Sequence, residues 1–292
     1  MNDTLHSQAP DSDPPLNAAQ VTAYLDRIGI ASADRPDRPD RPDAEYLRRL
    51  HRQHLHTVPF ENLSIHLGED IPLETGALFD KIVTRRRGGY CYEVNGAFAM
   101  LLRSLGYRVS LLAARVHGPS GFGPLSHLAL RVDTDEPWLV DVGFGRNPEL
   151  PLRLKDPGEQ NDTHGVFRIQ TTAEGDLDVY RDGTLLYRIE QRPRELDDFK
   201  PAHWYQRTWP GSHFTQSPFC TLFTDHGTIT LAGRRLITTN GTTRNEEDFE
   251  TDEQVLAAYR EHFGLALDGV PTPPALASFV SSGISSTADA GS

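Results

Sequence analysis

Up to residue 106 the apolar side chains recur at helical spacing; from Tyr107 onward they come in short runs of strand character. The two patterns call for different elements, because a helix repeats every 3.6 residues and a strand every two. The stretches "LNAAQVTAYLDRIG" (16–29), "AEYLRRLHRQHLHTV" (44–58), "ETGALFDKIVT" (74–84) and "NGAFAMLLRSLG" (95–106) predict helices, the last stopped by its glycine. Beyond the switch, "YRVSLLAARV", "LSHLALRV", "WLVDVG", "GVFRIQT", "LLYRIE", "FCTLFT" and "RRLITT" are rich in β-branched and aromatic residues and bounded by Gly, Pro, Asp and Asn. They predict antiparallel strands. One more helix, "DEQVLAAYREHFG" (252–264), follows. The order is helices, a β-rich middle and a smaller mixed unit, an α+β organisation.

The remaining segments read as punctuation. Residues 1–15 are polar and acidic, and the tail 269–292 is small, polar and proline-containing, so both are expected to be disordered. The threefold Asp-Arg-Pro repeat at 34–43 cannot continue a helix, since each proline lacks an N–H, and it reads as a solvated loop insertion. With 292 residues there is room for one large domain or two to three small ones. No run approaches the roughly 20 apolar residues that cross a bilayer, and the N-terminus lacks the features of a secretory signal. A cytoplasmic location is expected. A net charge of −12 speaks against nucleic acid or an anionic membrane as partner, while local arginines can still hold an anionic cofactor. Two cysteines are too few for a disulfide framework or a cysteine-rich zinc site, and no metal is expected.

One of those cysteines lies in "RRRGGYCYEVNGAF" (85–98), between two glycines and a helix start. A thiol is a useful nucleophile only as thiolate, and helix-terminal N–H groups and the helix dipole favour that anion. Gly88 and Gly89 let the preceding backbone turn sharply or approach a ligand. Taken alone, Cys91 still reads first as a small buried residue. A base and an orienter change that reading. In "LSHLALRVDTDEPWLVDVGFG" (125–145) a hairpin centred on Thr134 sets His127 opposite Asp141, with Leu128 facing Val140 and Leu130 facing Trp138 on the other side. Opposed residues share a face with Cβ atoms roughly 5 Å apart. Every register that preserves the apolar face keeps the two together, because a one-residue slip flips a strand. Singly, His127 reads as a polar residue on a solvated face and Asp141 as a strand-end carboxylate. Together, the Asp fixes the His tautomer and supports the imidazolium formed when a thiol proton is taken. Cys91, His127 and Asp141 thus supply nucleophile, base and orienter for covalent acyl transfer; the sequence leaves open whether Cys91 meets His127.

"RRRGGYCYEVNGAF", "VPFENL" (58–63), the His127 strand and "VDVGFG" (140–145) resemble, in order and separation, the arylamine N-acetyltransferase family. The resemblance spans about residues 16–268; the Asp-Arg-Pro repeat and both termini depart from it. It implies a mixed α+β fold around a cysteine-protease-like Cys-His-Asp core. An N-terminal helical bundle (16–106) would carry the cysteine, a central antiparallel β-barrel (107–205) the His and Asp, and an α/β lid (206–268) would follow. It further implies two steps in xenobiotic metabolism: acetyl-coenzyme A acylates Cys91, coenzyme A leaves, and an arylamine, arylhydrazine or N-hydroxyarylamine takes the acetyl group. The Cys91 N–H, with a second donor from Val116 to Gly118, would hold the oxyanion. Positional matching puts Phe60, Val116 and Phe144 in the acceptor pocket, though each also fits a core role. Gly123, Gly145, Ser212 and Phe214 fall beside the coenzyme.

Other readings stand next to these. Arg85, Arg86 and Arg87 suggest a diphosphate site, but structural ion pairing ranks ahead of it. "RVHGPS" (115–120) approaches the Arg-x-x-Gly-x-Gly/Ala loop of another acetyltransferase superfamily, yet ends in Ser120 without a strand-loop-helix context. An amide synthase closing or releasing a polyketide chain would use the same catalytic residues. A transglutaminase-like cysteine hydrolase shares the Cys, His, Asp order but leaves the glycine-rich segments without purpose. A non-catalytic binding protein is disfavoured by the intact trio.

Overall fold

The computed structural model of the chain describes residues 16–34, 43–118, 121–123 and 125–273. The segments expected to be disordered at 1–15 and beyond 273, and most of the Asp-Arg-Pro repeat, lie outside the described residues.

Helix α1 (Ala18–Arg27) starts at Asn17, whose side chain accepts the Gln20 N–H while Gln20 accepts the Asn17 N–H. Asp43, the last residue of the repeat, caps α2 (Ala44–Thr57), which buries Tyr46, Leu47, Leu50, His51, His54 and Leu55 along one stripe. A two-residue strand, β1 (Phe60–Glu61), and helices α3 (Leu63–Leu67) and α4 (Thr75–Phe79) follow, the last passing into a π-helical turn at Asp80–Thr84. Helix α5 (Cys91–Ser104) is buried on nearly every face and forms the axis of this part.

The middle of the chain supplies β2 (Arg108–Gly118), β3 (Gly121–Phe122), β4 (His127–Asp133), β5 (Pro137–Val140), β6 (Leu152–Arg153), β7 (Gln160–Asp162), β8 (Gly165–Thr171), β9 (Leu177–Arg181) and β10 (Thr184–Arg194). They pair antiparallel in the order β6-β5-β4-β2-β10-β9-β8-β7, with β3 on β2. The two ends approach through a side chain: Gln160 Oε1 accepts the Arg153 N–H at 2.7 Å and its Nε2 donates to the Arg153 carbonyl at 3.0 Å. The sheet is thereby a nearly closed barrel. Alternation along the strands divides their residues. Leu112, Ala114, Ala129, Phe167, Val179 and Ile189 fill one cluster. Leu111, Ala113, Leu128, Leu130 and Val132 join the helical core around α5.

The chain ends in α6 (Lys200–Thr208), α7 (His213–Gln216), β11 (Phe219–Thr224), β12 (Gly227–Ala232), β13 (Arg235–Asn240), β14 (Thr243–Asp248) and α8 (Asp252–Phe263). These strands form a second antiparallel sheet, β1-β11-β12-β13-β14, whose core of Cys220, Ile229, Leu231 and Leu236 packs on Val255, Ala258 and Tyr259 of α8. The structure departs from the sequence reading in three places. The helical third contains β1, which belongs to the C-terminal sheet. Helix α6 crosses the boundary expected at residue 205. The β4–β5 hairpin pairs Leu130 with Val140 and Val132 with Trp138, so Asp135 rather than Thr134 is its centre. The cause is local: Thr134 bonds to Glu136 through its N–H, at 3.0 Å, and its hydroxyl accepts the Trp138 indole N–H at 3.0 Å, leaving Asp135 at the tip. Because pairing shifts by two positions, every side chain keeps its face.

Candidate active site

The segment before Cys91 is built by close backbone approach. A Cβ on Gly88 would lie 1.9 Å from the Pro59 carbonyl oxygen, and one on Gly89 2.7 Å from the Glu93 side chain. Only glycine lets Gly89 pair with Pro59–Glu61, its carbonyl accepting the Glu61 N–H at 3.0 Å and its own N–H donating to Pro59 at 3.3 Å. The arginines brace this corner. Arg87, buried, meets Glu61 at 3.1 Å and Glu69 at 3.2 Å; Arg85 pairs with Asp80 at 2.8 Å. Arg86 takes a left-handed backbone, φ 53°, and its carbonyl accepts from buried Arg27 at 3.2 Å. Ion pairing therefore accounts for Arg85 and Arg87. Lys81 and Glu93 form a further buried pair at 2.5 Å, and Glu93 also accepts the Tyr90 N–H at 3.2 Å, capping α5. Burial raises the pKa of the Glu93 carboxyl against the pull of Lys81, whereas for Glu61 the Arg87 and Lys81 charges outweigh burial and lower it.

Cys91 opens α5, 2% exposed, with Sγ 4.0 Å from the Ser126 carbonyl. His127, the first residue of β4, lies between Cys91, whose sulfur acts on it electrostatically, and Asp141, whose Oδ2 meets its Nε2 at 2.7 Å. That leaves Nδ1 for the thiol. The structure thus joins the three residues that the sequence could only pair in part. Asp141 is surrounded by donors. Tyr187 Oη donates to Oδ2 at 3.0 Å, and Asn95 Nδ2 and the Gly143 N–H donate to Oδ1 at 2.9 and 3.0 Å. Its carbonyl accepts from Asn147 Nδ2. Burial alone would raise the Asp141 carboxyl, but the His127 charge and these hydrogen bonds lower its pKa. For His127, burial opposes the charge; the Asp141 carboxylate, its hydrogen bond and the Cys91 sulfur prevail and raise the pKa to about 10. The arrangement favours an imidazolium at His127.

Of the other expected residues, Phe144 packs edge-on against His127 (5.1 Å) and Tyr187 (4.8 Å). Phe60 lines an apolar cleft with Val142, Gly145 and Phe223. Gly145 has φ 76°, and a Cβ there would come within 2.9 Å of the Phe60 ring, so its glycine is required by packing. Val116 is half-buried on β2; its N–H is committed to Ser126 Oγ at 3.0 Å, and its carbonyl accepts the Gly123 N–H at 3.1 Å. Phe214 lies between Tyr90 (5.1 Å) and Phe219 (5.8 Å), tilted against both rings. Ser212 points inward: its hydroxyl bonds Gln206 and accepts the Phe214 N–H, capping α7. Phe144 thus packs on the trio directly, while Tyr90, Phe214, Phe219 and Phe60 form a separate chain of aromatic contacts that starts at the residue before Cys91. Sequence reasoning missed Asn95, Gly143 and Tyr187. Asn95 lies one turn beyond Cys91 on the same helix, and that spacing was a signal for it; for Tyr187, far along β10, there was none. Among the described residues no cluster of His, Cys, Asp and Glu suits a metal ion, and no helix is long and apolar enough to cross a membrane.

A family model described as N-acetyltransferase matches residues 43–271. The arylamine N-acetyltransferase of Mycobacterium bovis is 38% identical over 231 residues, covering 75% of this chain and 80% of the relative. Among solved structures, the arylamine N-acetyltransferase of Salmonella typhimurium is similar with a TM-score of 0.78 at 30% identity, over 86% of this chain and 93% of its own. That of Mycobacterium marinum in complex with CoA is similar with a TM-score of 0.76 at 32% identity, over 84% and 93%.

Proposed function

The chain belongs to the arylamine N-acetyltransferase family, and from that premise we propose that it carries an acetyl group from acetyl-coenzyme A to an amine through a thioester on Cys91. The observation that supports this reading most is the buried Cys91–His127–Asp141 set, in which every Asp141 oxygen meets a donor. Asp141, fixed as an anion, holds His127 as a cation, and the cation holds Cys91 as thiolate. The thiolate attacks the thioester carbonyl of acetyl-coenzyme A, and the coenzyme leaves as its thiol with the proton from His127. The neutral imidazole then takes a proton from the amine as it attacks the acetyl-thioester, and Cys91 departs as thiolate beside a recharged His127. The Cys91 N–H is the proposed oxyanion donor. Val116 cannot offer its N–H, already given to Ser126.

Phe60 and Phe144, with Phe219, form the proposed acceptor wall, suited to arylamines, arylhydrazines and N-hydroxyarylamines; Phe214, expected beside the coenzyme, packs on Tyr90 and Phe219 and is proposed to belong to this wall instead. The pantetheine arm is proposed to reach Cys91 past Gly123 and Gly145. We place the reaction in the cytoplasm, where Cys91 and Cys220, both unpaired, stay reduced.

The test is to incubate the protein with acetyl-coenzyme A and map its peptides by mass. One acetyl group on the Cys91 peptide, discharged by an arylamine, with parallel double-reciprocal lines when both substrates vary, is the expected result. An alkylatable Cys91 that never takes the acetyl group would refute it and favour another acyl donor or a hydrolase. Intersecting lines would refute the two-step order.

A further inference from the structure

Two residues after Phe60 stands Asn62, 1% exposed, whose amide reaches across 152 positions of sequence. Its Oδ1 accepts the Phe219 N–H at 2.7 Å, which fixes the orientation of the amide. Its Nδ2 donates to the carbonyls of Phe214 at 2.8 Å and Ser217 at 2.9 Å, and lies 3.1 Å from His66 Nε2. His66 Nε2 in turn lies 3.0 Å from the Phe214 carbonyl, so that carbonyl is held from two sides. Before Phe219, which opens β11, the segment so gripped has little regular structure of its own. Helix α7 has four residues, too few to persist unaided, and Pro218 has no N–H to give.

Yet this segment bears Phe214, whose ring is 5.1 Å from that of Tyr90, the residue before Cys91, and Phe219, whose ring is 5.4 Å from Phe60. We propose that Asn62 is a positioning residue that sets acceptor selectivity: by clasping residues 214–219 it holds Phe214 and Phe219 as a fixed wall, and the wall decides how large an arylamine reaches acetylated Cys91. This rests on the reading of Cys91 as the acetyl carrier. The side-chain hydrogen bonds of Asn62 run to residues 66, 214, 217 and 219, and none of them runs to Cys91, His127 or Asp141. Its removal should therefore spare the first half-reaction and spoil the second.

The experiment compares wild type with Asn62→Ala in two measurements. Single-turnover release of coenzyme A from acetyl-coenzyme A, without acceptor, reads acetylation and should stay within about twofold. Steady-state kinetics with aniline and with an aminofluorene read the wall. The acceptor KM should rise, and the kcat/KM ratio between the two amines should change, on the order of tenfold each, as expected when a positioning contact is lost. Phe214→Leu should reproduce the altered ratio with the clasp intact, and Asn62→Ala added to it should change the ratio less than the two single effects combined. Should Asn62→Ala not fold, Asn62→Asp serves with the same criteria, since it keeps the acceptor for Phe219 but turns an oxygen on the two carbonyls. An unchanged KM and ratio, or a parallel loss in both half-reactions, overturns the proposal alone. A wild type that never forms acetyl-Cys91 overturns the underlying reading and this inference with it.

Discussion

Asp141→Asn isolates the logic of the site, because it is isosteric and changes only donors and charge. The carboxylate accepts from four donors: His127 and Tyr187 at Oδ2, Asn95 and Gly143 at Oδ1. An asparagine amide must turn its NH2 towards one of these pairs. The Gly143 N–H cannot become an acceptor, and Asn95 is fixed because its Oδ1 already accepts the Val142 N–H at 2.9 Å. Tyr187 can rotate its hydroxyl to accept. The amide nitrogen is therefore forced towards His127, whose Nε2 must give up its proton and accept. The proton moves to Nδ1, the nitrogen facing Cys91, and the imidazole can no longer take the thiol proton. The charge that raises His127 to about 10 is lost as well. The expected loss is that of a positioned base, roughly 10² to 10⁴ in kcat/KM, or about 3 to 5 kcal/mol of barrier. Rates of Cys91 acetylation and of amine turnover are the assay, with thermal unfolding as a check that the protein is folded. Turnover within tenfold of wild type in a folded Asp141→Asn protein would refute the mechanism.

Iodoacetamide should label Cys91 faster in wild type than in a folded His127→Ala protein, as read by peptide mapping; equal rates contradict the coupling of Cys91 to His127. Cys220, whose thiol burial pushes up in pKa, should stay unlabelled until the protein unfolds. His127 has a folded pKa above its unfolded value of 6.5, so the native state binds the extra proton between there and about 10. Its contribution to stability is complete below pH 6.5 and lost as pH rises towards 10; denaturant titrations should show the advantage of wild type over His127→Gln shrinking across that window, and growth would contradict it. Gly143→Ala places a Cβ 2.8 Å from Cys91 Cα and from Asn95 Nδ2, and should cost about 1 to 3 kcal/mol in denaturant melts together with activity. Arg87→Ala strands fully buried Glu61 and should cost about 3 to 5 kcal/mol, while Arg85→Ala, whose ion pair is half exposed, should cost under about 1 kcal/mol.

What could be read from the sequence depended on how local each cause was. Helix α2 and strand β8 follow from their own periodicity and caps, and both lie where the pattern put them. His127 and Asp141 were legible as neighbours because parity survives an error in register, although the turn chemistry at Thr134 and Glu136 moved that register by two. Strand β14 was illegible: all six of its residues are exposed, so nothing apolar marks it, and only pairing with β13 makes it a strand. Strand β1 is two residues long and exists because Gly88 and Gly89 admit it on one side and β11 receives it on the other. Tyr187 and Asn62 act across tens to more than a hundred residues, and no local pattern announces such partners.

The pairing of Phe60 with Thr221 also has a meaning in time. A ribosome adds roughly 5 to 20 residues per second, so on the order of ten to thirty seconds separate the two partners as the chain emerges. Cys91, His127 and Asp141 are all made before Phe214 and Phe219. On the proposed reading, the growing polypeptide thus holds its nucleophile before it holds the acceptor wall. On that reading the residues of the reaction are written early and those of acceptor choice late.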